Sequence, residues 1–317
     1  MRITYGLSCL NKSTSPPAVV SIGVFDGVHL GHCAILAANL RRSTELGAVP
    51  TVVTFSGHPK ELLLGRGPRT LTSLEHRLEL FAEAGIEHTL VLEFNDELRS
   101  KCAEDFVRQD LEGALGARAF VLGFDSKFGR NREGTPERLT AMGLDVEVVA
   151  AVLLKGRAVS STAIREAVSL GDLESAALML GRPVVVHGRV VHGNGLGAGI
   201  GFPTANLDQD HELAPPRGVY ATRVTLLDRR NEAGDPAMFD GVTNIGYRPT
   251  ITGEPLADAA LVMEVHVFDF DADIYGERAA LEFVAFLRGE KRFDSVDELK
   301  LAIAGDIKRA KQLLSRL

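Results

Sequence analysis

Two histidines three residues apart are the earliest side chains in the sequence whose spacing indicates chemistry. His29 and His32 stand around Gly31 in the stretch GVFDGVHLGH, residues 23–32. An apolar, β-branched run precedes this stretch and a helical pattern follows it, so the sequence predicts a turn from a strand into a helix. A helix start offers unpaired N–H groups and partial positive charge, which bind phosphate. The spacing therefore indicates that both imidazoles donate hydrogen bonds to a phosphate group or to a departing pyrophosphate.

Other interpretations of the two histidines stay open on this pattern alone. The pair is also typical of a chance surface pattern, or of half a metal site that has Cys33 as a neighbour. A Walker A phosphate loop is excluded, because no Gly-Lys dipeptide occurs in the chain.

A hydroxyl-rich segment supplies a second candidate cluster. Ser160, Ser161 and Thr162 stand together at a predicted helix start in VSSTAIREAV, residues 159–168, and Arg165 follows one helical turn later. Such a group either caps the helix or binds a triphosphate. We expect it at the same end of a parallel sheet as the two histidines, where ligands bind in such sheets.

A glycine-rich loop, GNGLGAGIGFPTANL at residues 193–207, carries the third cluster. Its first part matches a dinucleotide-binding pattern, but Pro203 prevents the helix that the pattern requires. Thr204 and Asn206 are two residues apart, so they lie on one face of an extended strand. A hydroxyl and an amide oxygen suit Mg²⁺ bridged to nucleotide phosphates, because that ion prefers oxygen ligands. The alternative is a flexible linker.

An alternating segment further along the chain, LVMEVHVFDFDADIYG at residues 261–276, contains a candidate general base. Alternation places Glu264 and His266 on one face of a strand, and Met263, Val265 and Val267 on the other. A carboxylate that points from a barrel strand toward a site can accept the proton of a substrate hydroxyl. An edge-strand glutamate facing water is the alternative.

The elements that must position these residues fall into two halves. In the first half, apolar strand-like runs alternate with amphipathic helical runs, which predicts a parallel sheet covered by helices. The predicted strands are 18–25, 49–55, 88–94, 117–124 and 145–154. The predicted helices are 31–46, 73–84, 103–115 and 136–142, with a helical connector at 161–182.

The second half has shorter strands with period-2 patterning, which predicts a small antiparallel β-barrel. These strands are 184–191, 219–227, 260–268 and 278–287. A helix over roughly 295–315 closes the chain, with an apolar stripe at Val296, Leu299, Ile303, Ile307, Ala310 and Leu314. We therefore expect an α/β domain at 1–182, connector included, and a β-barrel domain at 183–317.

Composition limits the classes of function. The 317 residues carry a formal net charge of -7, which leaves no excess of basic charge for a nucleic-acid backbone. Three widely spaced cysteines argue against a disulfide framework and a structural zinc site. No run of about 18 apolar residues predicts a membrane span, and no signal peptide is evident. We expect a cytoplasmic location and no membrane partner, and the oligomeric state stays open.

Both halves resemble one family, the prokaryotic bifunctional riboflavin kinase/FAD synthetases. In the first half, the HxGH turn and SSTAIR are similar to the nucleotidyltransferase fingerprint, and TFSGHP, LTSLEHRLELFAEAGI and LGFDSKFG resemble the FMN adenylyltransferase module. In the second half, GFPTANL, GVTNIGYRPT, MEVHVFDFDADIYG and LRGEKRF resemble the riboflavin kinase module. The resemblance implies a Rossmann-like nucleotidyltransferase domain followed by a riboflavin kinase-like barrel.

The resemblance also implies roles for individual residues. Adenylyl transfer is implied for His29 and His32, and general-base action on the ribityl 5′-hydroxyl for Glu264. Binding of Mg²⁺ with the ATP phosphates is implied for Thr204 and Asn206, and binding of flavin for Asp125, Phe128 and Arg288. The implied nucleotide-binding residues are Gly23, Phe25, Gly27, Gly31, Ser160, Ser161, Thr162, Arg165, Gly195, Gly197, Gly201 and Pro203.

The expected function is therefore the conversion of riboflavin to FMN and of FMN to FAD, with ATP as the co-substrate of both steps. Three residues depart from the family pattern: Gly57, Ser126 and Ala198. None of them has a chemical role above, so we expect both activities at altered affinity. The alternatives are an enzyme with one active module, or a non-catalytic flavin or nucleotide sensor on the same folds.

Overall fold

The structure is a computed structural model that describes residues 1–10, 16–57, 67–193, 196–209, 212–247 and 261–316. It divides into two compact units, Met1–Ser161 and Thr162–Leu317. None of the helices in the described part of the chain combines the length and the apolar character needed to cross a membrane.

A six-stranded parallel sheet forms the centre of the first unit. Its strands, in the order β1-β4-β3-β2-β5-β6, are β1 Arg2–Tyr5, β2 Ala18–Ile22, β3 Val49–Phe55, β4 His88–Leu92, β5 Ala117–Gly123 and β6 Val146–Val149. Every residue of β2 and β4 is buried, as expected for strands that are covered on both faces. The expected α/β fold is confirmed.

Helices cover this sheet and carry the loops at its carboxyl end. They are α1 Leu30–Leu46, α2 Leu74–Glu83, α3 Asp96–Ser100, α4 Ala103–Asp105, which continues as a π-helix over Phe106–Leu115, and α5 Pro136–Ala141. Short 3₁₀ turns lie at Leu7–Cys9 and Arg130–Arg132.

A buried amide fixes α1 against the sheet. The Asn39 side chain donates hydrogen bonds to Val19 O (3.1 Å), Ser21 Oγ (2.9 Å) and Thr51 O (3.2 Å). Leaving such a buried donor without partners would cost about 1–3 kcal/mol. The network therefore holds the helix that begins immediately after His29.

The predicted strand at 145–154 is wrong in length. Strand β6 ends at Val149, and the chain then forms a separate hairpin from β7 Leu153–Leu154 and β8 Arg157–Ala158. Lys155 and Gly156, between these two strands, have φ of 49° and 78°. Positive φ at both central residues is typical of a tight hairpin turn, which a continuous strand cannot contain.

A closed six-stranded antiparallel barrel forms the centre of the second unit, as predicted. Its order is β10-β13-β12-β11-β14-β9. The strands are β9 Val184–Val191, β10 Ala205–Gln209, β11 Gly218–Arg230, β12 Pro236–Tyr247, β13 Leu261–Val267 and β14 Arg278–Arg288. The prediction missed β12, because Asp240, Gly241, Asn244 and Gly246 interrupt its apolar alternation.

The helices of the second unit are α6 Ser161–Leu170, α7 Leu173–Leu180, the single turn α8 Leu196–Gly199, and α9 Val296–Leu314. The predicted connector is thus two helices rather than one. Helix α9 packs Ala310 and Leu314 on Val219, Ala221 and Leu287 of the barrel. The prediction that Val296 lies on the buried stripe of this helix is wrong, since its side chain is 56% exposed.

The position of the connector differs from the expected domain boundary. We expected residues 161–182 in the first domain, whereas Thr162 onward lies in the second compact unit. The helices α6 and α7 therefore share their unit with the barrel, and the functional boundary at 182/183 stays a prediction.

Candidate functional site

The turn between β2 and α1 has an unusual backbone. Phe25 and Val28 have φ of 54° and 38°, in the left-handed region that side chains other than glycine rarely adopt. Gly27, between them, has φ of 83°, which glycine adopts without strain. Non-glycine residues in this region cost of order 1–3 kcal/mol each, so the surrounding contacts must hold the turn in place.

The segment before α2 supplies some of the contacts that hold the turn in place. Asp26 is buried, and its Oδ1 accepts hydrogen bonds from the backbone N–H groups of Leu71 (2.8 Å) and Thr72 (3.1 Å). Thr72 Oγ1 in turn accepts from the N–H of Gly27 at 3.0 Å. The turn and this segment therefore bind each other through reciprocal hydrogen bonds.

Arg77 of α2 adds a buried guanidinium group to the same arrangement. It is 4% exposed and donates to the carbonyl oxygens of Val24 and, at 3.1 Å, of Phe55. Burial lowers the pKa of Arg77, and the negative charge of Asp26 acts in the opposite direction. The side chain thus ties the start of the turn to the end of β3.

The two histidines are in direct ring contact at the start of α1. His29 caps the helix, and its Nδ1 accepts the backbone N–H of His32 at 3.4 Å. Their rings stack with centroids 3.7 Å apart, and the Phe25 ring lies 5.1 Å from that of His32. A Cβ on Gly31 would come within 3.1 Å of the His29 ring, so glycine gives this ring its space.

The capping hydrogen bond fixes how His29 can act. Because its Nδ1 accepts a hydrogen bond, the neutral ring carries its proton on Nε2. The proton-bearing nitrogen is therefore the one that does not cap the helix.

The hydroxyl-rich cluster meets the turn through one of its members. Ser161 Oγ donates to the backbone oxygen of Asp26 at 2.9 Å, while Ser160 is half-buried. Thr162 is exposed and Arg165 is half-buried on α6, in the second compact unit. Ser161 thus contacts the backbone of the turn that carries the two histidines, and the convergence of the whole cluster on the histidines stays a prediction.

The flavin candidates of the first unit differ in their surroundings. Asp125 is exposed in the turn after β5, and a Cβ on Gly123 would lie 3.5 Å from both its Oδ1 and Ser126 Oγ. Phe128 instead packs edge-on against Phe106, with centroids 5.9 Å apart. Asp125 is therefore the more open of the two.

A metal role for the histidines gains no support from the geometry. Within the ranges that the structure describes, no group of three or more His, Cys, Asp or Glu side chains is arranged to hold a metal ion. The Cys33 thiol donates to Val28 O at 3.4 Å.

Three polar side chains lie in register on the barrel. Asn206 of β10 pairs with Glu264 of β13, which pairs in turn with Asn244 of β12. Directly opposed residues of antiparallel strands share one face, with Cβ atoms about 4.5–5.5 Å apart. We call this set the polar row.

The face of the polar row is the outer face of the barrel. Met263 and Val265, the neighbours of Glu264 in sequence, are buried in the barrel core, whereas Glu264 and His266 are half-buried. The predicted alternation of this strand is therefore correct. His266 Nδ1 lies 2.8 Å from Pro203 O, which ties the glycine-rich loop to β13.

Glycines of the loop pack directly against the two candidate metal ligands. A Cβ on Gly193 would lie 1.8 Å from Asn206 Nδ2, and one on Gly197 would lie 3.0 Å from Thr204 Oγ1. Asn206 is buried, and its Oδ1 has no hydrogen-bond partner among the described residues. This loop therefore fits closely around an amide oxygen that lacks an internal partner.

The remaining loop residues add less to the site. Gly201 is exposed with φ of 91°, and Pro203 contributes the carbonyl that faces His266. Gly195 lies outside the described residues. Strand β10 begins at Ala205, so Thr204 directly precedes it.

Arg288 is held by the terminal helix. Its guanidinium forms a two-pronged ion pair with Asp306 of α9, at 2.8 Å for the shortest contact, and stands 5.6 Å from the centroid of the Phe293 ring. The candidate flavin contact is thus a residue already engaged in an ion pair.

Sequence reasoning missed several residues of these sites. Asp26, Thr72 and Arg77 lay in quoted motifs, but the pairing between the two segments is visible only in three dimensions. Asn244 was missed because β12 was not predicted. Asp306, a charge on the buried stripe of a helix, was a readable signal of an ion-pair partner.

Two domain families match this fold and these sites. The family model for FAD synthetase matches residues 11–163, and the one for riboflavin kinase matches residues 180–314. The HxGH turn lies in the first match and the polar row in the second.

The chain belongs to the bifunctional riboflavin kinase/FMN adenylyltransferase family. A member from Haemophilus influenzae is 37% identical over 316 residues, which is 98% of each chain. Members from Pseudomonas fluorescens and Escherichia coli are 38% and 34% identical, covering 93% and 96% of this chain and 92% and 96% of their own. The family expected from the motifs is thus confirmed.

A solved structure shares the fold. A crystal structure described as a macrolide-efflux protein from Streptococcus pneumoniae matches with a TM-score of 0.84 and 28% identity, covering 98% of this chain and 99% of its own.

Proposed function

We propose that this chain catalyses two ATP-dependent steps, the phosphorylation of riboflavin to FMN and the adenylylation of FMN to FAD. The observation that carries the proposal is that each matched domain contains its own group of chemically competent side chains. The stacked histidines lie in the FAD synthetase match, and Glu264 with its two amide neighbours lies in the riboflavin kinase match.

In the kinase step, Glu264 is the general base. The terminal ribityl hydroxyl attacks the γ-phosphorus of ATP, its proton passes to the Glu264 carboxylate, and ADP leaves. A positioned base contributes about 10²–10⁴ to the rate of such a step. The half-buried position of Glu264 on the outer face suits this role, because a substrate can reach the carboxylate.

Thr204 and Asn206 fit a magnesium ion. The unpartnered Asn206 Oδ1 is the kind of oxygen ligand that Mg²⁺ takes, and Gly193 and Gly197 hold both side chains closely. When bound, the ion supplies positive charge against the ATP phosphates. The loop residues Gly195, Gly197, Gly201 and Pro203 are proposed to contact the nucleotide.

In the adenylylation step, a phosphate oxygen of FMN attacks the α-phosphorus of ATP and pyrophosphate leaves. The nucleophile is already anionic, so no base is needed. His29 and His32 donate hydrogen bonds to the triphosphate and to the charge that develops on the leaving pyrophosphate. The proposed nucleotide contacts are Gly23, Phe25, Gly27, Gly31, Ser160, Ser161, Thr162 and Arg165.

The flavin contacts belong to the same proposal. Asp125 and Phe128 are assigned to FMN in the adenylylation site, and Arg288 to riboflavin in the kinase site. Because Arg288 is paired with Asp306, its contact with flavin requires the ion pair to open or to present its outer edge. The cytoplasm, where ATP is available, is the proposed location.

The test is an incubation of the purified protein with riboflavin, ATP and Mg²⁺, with riboflavin, FMN and FAD separated over time. We expect FMN to appear first and then to give way to FAD. FMN alone would restrict the activity to the kinase half, and direct attention to Gly57 and Ser126. No product, even from supplied FMN, would favour a non-catalytic flavin or nucleotide sensor.

A further inference from the structure

The polar row contains one residue to which the proposed function gives no role. Asn244 lies directly opposite Glu264, on the side away from Asn206. It is half-buried, as Glu264 is. Within the described part of the chain, neither the Asn244 amide nor the Glu264 carboxylate forms a side-chain hydrogen bond. An amide with two donors and an acceptor is therefore available beside the proposed base.

Asn244 is the last open position of its row. Its register partner on β11, Val219, is buried under α9. On the opposite side the row ends at Asn206, against which Gly193 packs. Because Asn206 is assigned to the metal ion, the part of the row that is left for the flavin substrate, among the described residues, consists of Glu264 and Asn244.

A glycine and a second carboxylate bound this surface along β12. A Cβ on Gly246 would lie 3.6 Å from Asn244 Nδ2 and only 2.5 Å from Glu290 Oε1. Glu290 is held by Arg217, with its Oε2 3.6 Å from the Arg217 guanidinium. The absence of a side chain at Gly246 thus leaves space beside Asn244, and Glu290 is the described residue nearest to that space.

We propose that Asn244 binds the sugar-alcohol chain of the flavin substrate, through the hydroxyl next to the one that is phosphorylated. The inference rests on the proposed kinase function. Opposed side chains about 5 Å apart at Cβ reach groups on neighbouring carbons, so a chain whose terminal hydroxyl meets Glu264 presents its next hydroxyl to Asn244. An amide both donates to and accepts from a hydroxyl, which makes Asn244 a specificity-determining residue.

The experiment compares two substrates and two variants. Kinase kcat/KM is measured for riboflavin and for 4′-deoxyriboflavin, with the wild-type chain and with Asn244→Ala and Asn244→Ser. We expect Asn244→Ala to lower kcat/KM for riboflavin by about 10–100-fold, as for the loss of one hydrogen bond that leaves a substrate hydroxyl without its partner. With 4′-deoxyriboflavin, wild type and Asn244→Ala are expected to differ by less than about twofold, because the contact is already missing. Asn244→Ser keeps a donor and an acceptor and is expected to lie between them.

Controls separate this contact from a folding defect. Met238→Ala removes an exposed side chain from the same face of β12 and is expected to leave both substrates unaffected. Adenylylation of supplied FMN should be unchanged in all variants. Equal losses on both substrates, or no loss on riboflavin, would overturn the role of Asn244. A wild-type chain that phosphorylates neither flavin would overturn the proposed kinase function itself.

Discussion

The HxGH turn and the polar row differ in how many contacts hold their reactive groups in place. At the turn, Thr72, Arg77 and Ser161 bind backbone groups of residues 24–27. The Asp26 side chain accepts hydrogen bonds from the segment before α2, and the two histidine rings stack on each other. In the polar row, Asn206 Oδ1, Glu264 and Asn244 have no such partners among the described residues. The backbone of the turn is thus held by contacts within the first unit, whereas the polar row presents hydrogen-bonding groups that have no such partners among the described residues.

This difference follows from what each backbone must do. The turn holds Phe25 and Val28 at positive φ, so it needs stabilising contacts that offset the free-energy cost of this conformation. The barrel strands are in their preferred conformation and in fixed register, so their side chains are positioned without extra partners. We therefore expect substitutions of supporting residues to damage adenylylation, and substitutions in the polar row itself to damage phosphorylation.

The largest expected effect is that of Glu264→Gln on the kinase. Without a carboxylate to accept the hydroxyl proton, kcat for FMN formation should fall by about 10²–10⁴-fold, while supplied FMN is still adenylylated. Steady-state assays of both reactions measure this split. Glu282→Gln, a change at a half-buried barrel glutamate, serves as the control and should leave kcat for FMN formation nearly unchanged. Normal phosphorylation by Glu264→Gln would mean that another group is the base.

His32→Ala should have the reverse effect. Loss of one donor to the developing charge should lower FMN adenylylation by about 10²–10³-fold and leave FMN formation unchanged. Cys33→Ala, one residue further along α1, is the matched control and should retain adenylylation. Parallel loss of both activities would indicate a folding defect rather than a local role.

The two units should also respond to opposite extremes of pH. Burial, with the nearby charge of Arg2, lowers the pKa of His88 in β4 to about 4, and burial raises the pKa of Tyr220 in β11 to about 12. Between pH 6.5 and 4, His88 is protonated in the unfolded chain but stays neutral in the folded protein. The first unit therefore loses up to about 3 kcal/mol of stability as pH falls. Between pH 10 and 12 the unfolded chain releases a proton that folded Tyr220 keeps, so the barrel loses up to about 2–3 kcal/mol as pH rises.

Chemical denaturation at several pH values, followed through each activity, measures these two effects. Adenylylation should be the acid-sensitive activity and phosphorylation the alkali-sensitive one. His88→Gln should reduce the loss of stability at acid pH and leave the alkaline loss unchanged. Tyr220→Phe should reduce the loss of stability at alkaline pH and leave the acid loss unchanged. Coincident loss of both activities at both extremes would contradict the assignment of these losses to His88 and Tyr220.

The smallest expected effect is that of Arg77→Lys. A lysine ammonium lacks the planar fork that reaches two carbonyl oxygens at once, so the turn should be held less firmly. We expect adenylylation kcat to fall about tenfold, with phosphorylation unaffected and the first unit destabilised by about 1–3 kcal/mol, because a buried carbonyl loses its donor. Arg118→Lys, at an exposed position of β5, is the control. A change in stability without a change in kcat would make Arg77 a purely structural residue.

Local pattern was sufficient for much of the molecule. The alternation of strands and helices predicts the parallel sheet, and the period-2 segments predict a barrel in which Glu264 lies on the face opposite Met263 and Val265. The hairpin at residues 153–158 was missed because its apolar residues continue the pattern of β6. Strand β12 was missed because its polar residues and glycines, among them Asn244 and Gly246, break a strand pattern.

The sites were predictable to a different degree. Motifs indicate His29, His32, Thr204, Asn206 and Glu264 as candidates, but they do not show which groups support these residues. The contacts of Asp26 and Arg77 join residues 22 to 53 positions apart, and no periodicity in the sequence reports such pairs. The same limit applies to Arg288, whose partner Asp306 lies on the terminal helix.

Closure of the barrel has a consequence for how this sequence can vary. Each strand is bonded on both sides, so no strand can slide past its neighbours without breaking two ladders. A deletion of one residue within Leu261–Val267 would turn Glu264 toward the core and Met263 toward solvent, because side chains alternate along a strand. Insertions and deletions are therefore tolerable in the connecting loops but not in β13, and the length of this strand is as strictly determined as the identity of the glutamate it carries.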